Sequence, residues 1–181
     1  ALGLVTIITA MMFVGCGSSD ISEGVAKNDY PITINGVTLN SQPTGVAVLS
    51  QNIADVILTG GFEATLKAKS EDCTQEDLSI LPNLTIDDAQ EMKSLGVTLV
   101  LVDEAPTEQQ TAALQAQGIQ VLAISPAKSR DDCKRLYREV GSAMVGGNTG
   151  YTKGEKACDN VFYTLDDITR LVPSTGTQYS A

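Results

Sequence analysis

The hydrophobic pattern changes its period several times along the chain, and each change marks an element. Pro31-Ile-Thr-Ile-Asn-Gly-Val-Thr-Leu39 alternates apolar and polar residues on both sides of Asn35-Gly36. Asn-Gly accepts the positive φ values of a type I′ turn, so the stretch predicts a two-residue β-hairpin. Val46 to Leu49 is a continuous apolar run, as in a strand buried on both faces of a parallel sheet. Ser50-Gln51-Asn52 then breaks the run. Ile53, Val56 and Ile57 follow at helical spacing and stop at Gly60-Gly61.

The same unit recurs. Asp87 to Leu95 predicts a helix with Thr85 as its cap and Gly96 as its stop, and Val97 to Val102 a second buried strand. Thr107 and Gln110 have the spacing of a capping box. The helix they open is expected to run to Gly118, before a third apolar strand over Ile119 to Ile124. Strands alternating with short helices give right-handed βαβ units, hence an α/β fold whose parallel sheet carries helices on both faces. After Ser125-Pro126 the strands cease. Ser129 caps a helix running through Leu136, Tyr137, Val140 and Met144, and Gly146 to Gly150 reads as a helix break. A second long helix is expected from Thr152 to Val172, its stripe formed by Ala157, Val161, Leu165, Ile168 and Val172. Pro173 stops it.

Composition narrows the chemistry. The 181 residues suffice for one domain with a real core, and 43% hydrophobic content reads as globular. A net charge of −10 argues against nucleic acid, which needs concentrated Lys and Arg. The chain has no His, so the commonest general base and metal ligand are both missing. A Cys nucleophile would have no His partner, and Asp87-Asp88 and Asp131-Asp132 are explained by helix starts. No enzyme is expected, and neither a cofactor nor a metal site.

Leu2 to Val14 is apolar over the length of a signal-peptide core and ends in Phe13-Val14-Gly15-Cys16. It resembles a bacterial lipobox, with Phe13 where Leu is usual. Cys16 would be lipidated, placing the protein outside the cytoplasm and anchored to the cell membrane. Residues 1–15 are thus a signal-peptide remnant and 16–29, small, polar and acidic, a flexible tether. That compartment permits a disulfide such as Cys73–Cys133; three separate thiols at Cys73, Cys133 and Cys158 fit the sequence equally well.

The order of these pieces resembles a known family. PITINGVTLN, VAVLSQNIADVILTGGFE, KSEDCTQED, EMKSLGVTLVLVD, GIQVLAISP and DDCKRLYREVGSAMVGGNTGYTKGEKACDNVF follow one another as in the substrate-binding lipoproteins of bacterial ABC importers for iron-siderophores, haem and cobalamin, the class with a helical linker. The resemblance spans roughly 30 to 173 and implies two α/β lobes joined by one long helix, with solute held between them. Residues 30–128 would be the N-terminal lobe, 129–173 a helix pair that includes the linker, and 174–181 the start of a second lobe. The function implied is capture of an iron-siderophore, haem or cobalamin-like solute, a metal chelate or corrinoid, and delivery to a permease by a monomer. The alternative is a one-lobed cell-surface lipoprotein acting as an interaction or sensory module.

Ligands of open parallel sheets sit beyond the carboxyl ends of the strands. That rule selects Ser50, Gln51 and Asn52, then Asp103 and Glu104, then Ser125. Ser50 to Asn52 combine polar side chains with the free N–H groups of a helix start, and capping by Ser50 is compatible with ligand contact. The resemblance adds Ser70 and Glu71, from a segment that borders the cleft in the family and here lacks the Arg or aromatic residue often found there. It also implies that Asp87, Asp88 and Glu91 dock onto basic residues of the permease; the macrodipole of a helix start explains the same acids.

Overall fold

A computed structural model describes residues 29–171; the expected signal-peptide remnant, Cys16, all of the expected tether but Asp29, and 172–181 lie outside the described residues. The hairpin forms as β1 (Ile32–Ile34) and β2 (Val37–Leu39), antiparallel, with Ile34 opposite Val37. Asn35 and Gly36 both take positive φ, 47° and 82°, as the type I′ turn requires.

The lobe proper is a parallel sheet of β3 (Val46–Val48), β4 (Leu66–Lys69), β5 (Leu99–Val102) and β6 (Gln120–Ala123), in the order β4-β3-β5-β6. Alternate residues of the central strands divide two cores. Val46, Val48, Leu99 and Leu101 join Ile53 and Ile57 of α1 (Gln51–Gly60) and Leu136, Tyr137 and Val140 of α4 (Arg130–Val145). Ala47, Val100 and Val102 face the other way, with Met92 of α2 (Ala89–Ser94) and Leu114 of α3 (Glu108–Ala116). Helices therefore cover both faces, which is why these strands carry almost no polar residue. Hairpin residues Ile34 and Leu39 extend the first core.

The capping signals of α1, α3 and α4 hold. Ser50 accepts from the Ile53 N–H, Thr107 and Gln110 form the reciprocal box, and Ser129 accepts from Asp132 N–H. Two expectations need correction, and one strand carried no expectation at all. The helix before β5 begins at Ala89 with Asp88 at the cap position, and Thr85, whose N–H and hydroxyl both donate to the Asp88 carboxylate at 2.6 Å, caps none of its amides. Those two bonds hold the Asp88 carboxyl below the usual carboxylate range. β4 was not legible as a strand. The last helix, α5 (Gly147–Leu171), starts five residues before Thr152, so that Gly147, Gly150 and Gly154 are helical and only Gly146 breaks the chain.

At 25 residues α5 is about 37 Å long. It packs antiparallel along α4, buries Cys158 and half-buries Ala157 and Val161 against the first core. Beyond that point the expected stripe runs into solvent, with Leu165 and Ile168 about half exposed and Leu171 more so. Among the described residues no helix is long and apolar enough to cross a membrane.

Candidate functional site

The chain leaves β3 toward β4 on one side and returns past β3 to form β5 on the other, so β3 and β5 flank the point where the winding direction reverses. Loops diverge beyond their carboxyl ends, and a crevice opens between them. The two loops are tied together: Ser50 Oγ donates to Asp103 Oδ2 at 3.1 Å while accepting from Ile53 N–H at 3.4 Å. Ser50 is only 3% exposed, so one buried hydroxyl both caps α1 and fixes the β5 loop.

Two adjoining cavities fill the crevice. One, of about 700 Å³, is lined by Ser50, Gln51, Asn52, Asp72, Thr74 and Asp103 among others. Its neighbour, of about 450 Å³, has an apolar floor of Leu49, Leu84, Ile86 and Val102 under a rim that includes Ser70, Thr85, Glu104 and Gln110. Leu49, Glu71, Asp72 and Asp103 belong to both, which makes them one continuous cleft. Its size suits a small-molecule solute.

Seven of the eight expected ligand residues therefore converge: Ser50, Gln51, Asn52, Ser70, Glu71, Asp103 and Glu104. Ser125 does not. It follows β6, lines neither cavity, and its carbonyl accepts from the Arg135 guanidinium at 3.0 Å. The set Asp87, Asp88 and Glu91 lies beside the rim. Asp87 Oδ1 accepts from Gln110 Nε2 at 3.0 Å and Asp88 holds Thr85, both partners being cleft-lining residues, while Glu91 is exposed in the first turn of α2.

Leu84, Thr85, Ile86 and Gln110 were missed as site residues. The first three belong to a segment lying against the edge strand β4, where the Lys69 N–H donates to Pro82 and the Leu84 N–H to Lys69. Lys69 itself is buried under this segment, its ammonium donating to Asn83 Oδ1 at 2.7 Å. Asn83 two residues from Thr85 was the available signal, but nothing local said it would meet a buried Lys.

The cleft is acidic. Glu71, Asp72, Asp103 and Glu104 line it, with no Lys, Arg, His, Tyr, Cys or Met among the lining residues. No group of three or more His, Cys, Asp or Glu placed to hold a metal ion occurs among the described residues. Ser50→Ala removes the cap and the bond to Asp103 together. It is expected to lower stability by about 1–2 kcal/mol in urea titration, whereas Gln51→Ala and Asn52→Ala, both exposed, stay within about 0.5 kcal/mol.

No family model matches this chain, and no curated protein is similar to it. Solved structures are. A possible iron-binding (periplasmic solute-binding) protein from Staphylococcus epidermidis is 14% identical with a TM-score of 0.58; the match covers 76% of this chain and 54% of that one. A periplasmic heme-binding protein from Pseudomonas aeruginosa is 13% identical, with a TM-score of 0.59 over 71% and 46% of the two chains. The periplasmic heme-binding protein RhuT from Roseiflexus sp. RS-1, in apo form, is 22% identical, with a TM-score of 0.56 over 74% and 52%. At such identities the likeness is one of fold, and this chain spans about half the length of each.

Proposed function

We propose that this chain is the N-terminal, solute-receiving lobe of the binding component of an ABC importer, which captures a metal chelate or corrinoid and delivers it to a membrane permease without covalent chemistry of its own. The observation that carries this reading is the cleft at the reversal point of the sheet, in a fold shared with periplasmic solute-binding proteins. Ser50, Gln51, Asn52, Ser70, Glu71, Asp103 and Glu104 form its wall, and α5 is the linker. Asp87, Asp88 and Glu91, beside the rim, steer the lobe onto basic residues of the permease. The protein acts outside the cytoplasm as a monomer held by a lipid on Cys16.

The wall's chemistry orders the candidate solutes. A haem iron takes His, Tyr, Cys or Met as axial ligand, and this wall offers none. Haem propionates and the charge of a catecholate ferric chelate would face four carboxylates with no cation among them. A neutral or cationic chelate meets no such repulsion. The carboxamide N–H groups around a corrin ring, or the ammonium of a hydroxamate siderophore, would donate to those carboxylates over the apolar floor.

The test is a thermal-shift series on the full chain with cyanocobalamin, ferrioxamine B, hemin and a ferric tricatecholate. A raised midpoint is expected with at least one of the first two and none with the anions. A rise confined to hemin or the tricatecholate overturns the solute class. No rise with any of them, at millimolar solute, overturns the capture role of this cleft.

A further inference from the structure

Helices α4 and α5 keep one register along their contact. Gly141 meets Gly150, and one turn along, Tyr137 meets Gly154, backbone against backbone. One more turn on both helices brings Cys133 opposite Cys158. The two thiols are near enough there for Cys133 to raise the pKa of Cys158. Ion pairs on the flank fix the same register, Lys134 with Asp159 at 2.7 Å and Arg138 with Glu155. Cys158 is fully buried and Cys133 half-buried, both as free thiols. The remaining described cysteine is engaged elsewhere: Cys73 donates to the Val48 carbonyl at 3.7 Å and touches the Ser70 hydroxyl at 3.3 Å, at the end of β3.

We propose that Cys133 and Cys158 are an oxidation site, forming an interhelical disulfide that staples α4 to α5. Two helices whose backbones touch one turn away keep the Cβ atoms near the short separation that a disulfide demands. This pairing replaces the Cys73–Cys133 bond that the sequence alone allowed. The electron acceptor is a disulfide, supplied by a thiol–disulfide oxidoreductase or by oxidised glutathione. The Cys133 thiolate, the more accessible, attacks one donor sulfur and releases a donor thiolate. The Cys158 thiolate then attacks the Cys133 sulfur of the mixed disulfide and expels the second. One S–S bond breaks and one forms, and the two protons lost by the cysteines are taken up by the departing thiolates. Burial, and then the neighbouring Cys133, hold the Cys158 thiol above the ordinary thiol range, which makes the second step the slower.

The experiment exposes the full chain to oxidised glutathione, alkylates the remaining thiols and digests with trypsin without reduction. The expected product joins Asp131–Lys134 to Ala157–Arg170 through a bond that dithiothreitol cleaves. The oxidised chain should melt roughly 5–10 °C above the reduced one. Cys133→Ala, at a half-buried site, should fold and lose that difference. A map joining Cys73 to either partner overturns the proposal, as does alkylation of both Cys133 and Cys158 after prolonged oxidation. The outcome does not depend on the solute reading, since no cleft residue takes part.

Discussion

Gly154→Ala is expected to destabilise the protein by about 3 kcal/mol, lowering the thermal midpoint by roughly 6–12 °C. The sign is what makes the prediction sharp. In the interior of a helix, Gly to Ala ordinarily stabilises by about 1 kcal/mol, because Ala loses less conformational freedom. Here a methyl carbon would stand 2.1 Å from the Tyr137 carbonyl oxygen, 2.7 Å from its carbon and 3.2 Å from the Arg138 Cα. All three atoms are backbone, so no side chain can swing aside. Either α5 moves off α4 or the helices distort where they touch, and both open the first core beneath Tyr137 and Cys158. Gly150→Ala should behave likewise, its methyl carbon meeting the Gly141 carbonyl at 2.0 Å. Lys156→Ala, on the exposed side of the same helix, is the control and should change stability by less than about 0.5 kcal/mol. Urea denaturation of the three variants measures this; a Gly154→Ala chain as stable as the parent would show that the two backbones are not in contact.

That contact also marks where sequence reasoning loses its grip. Features specified within a few residues were legible: the Asn35-Gly36 turn, the apolar runs of β3, β5 and β6, and the caps at Ser50, Thr107 and Ser129. Each depends on local dihedrals or on a bond to an amide three residues away. β4 was hidden because Leu-Lys-Ala-Lys reads as half charged, and its buried Lys69 is tolerable only because Asn83 accepts from it. Lys153-Gly154-Glu155-Lys156 has three charges in four residues, the composition of a solvated face, yet Gly154 is buried and Glu155 pairs with Arg138. Nothing within the tetrapeptide says that another helix lies on it.

The cleft divides the same way. The rule that solutes collect beyond strand ends found Ser50 to Asn52, Asp103 and Glu104, because their loops follow strands legible in sequence. It also selected Ser125, since β6 is a strand of the same sheet. The rule lacks the strand order, and β6 lies one strand beyond the reversal point. Leu84, Thr85 and Ile86 reach the cleft only through their alignment with β4, which was itself unread.

Asp29→Ala should cost about 2–4 kcal/mol, although Asp29 reads in sequence as the last residue of a tether. Helix α5 begins directly after Gly146, which has no side chain to cap it. The cap comes from far away in the chain. Asp29 Oδ1 accepts from the Asn148 N–H at 2.9 Å and the Thr149 N–H at 3.1 Å, while its main-chain carbonyl accepts from the Gly147 N–H at 2.8 Å. One residue thus satisfies three of the four amides that a helix start leaves open. Its negative charge also lies at the positive end of a 25-residue helix. Asp29 is 3% exposed, so water cannot readily replace the lost acceptor, and Ala leaves two amides unpaired where unpaired donors are expensive. Asp29→Asn separates the two contributions: it keeps the oxygen and loses the charge, and about 1 kcal/mol of loss is expected. Hydrogen exchange locates the effect, since the Asn148 and Thr149 amides should lose protection in Asp29→Ala before those of Val161 and Phe162 do. Full protection at both amides in Asp29→Ala, with an unchanged urea midpoint, would mean that α5 starts without this clamp.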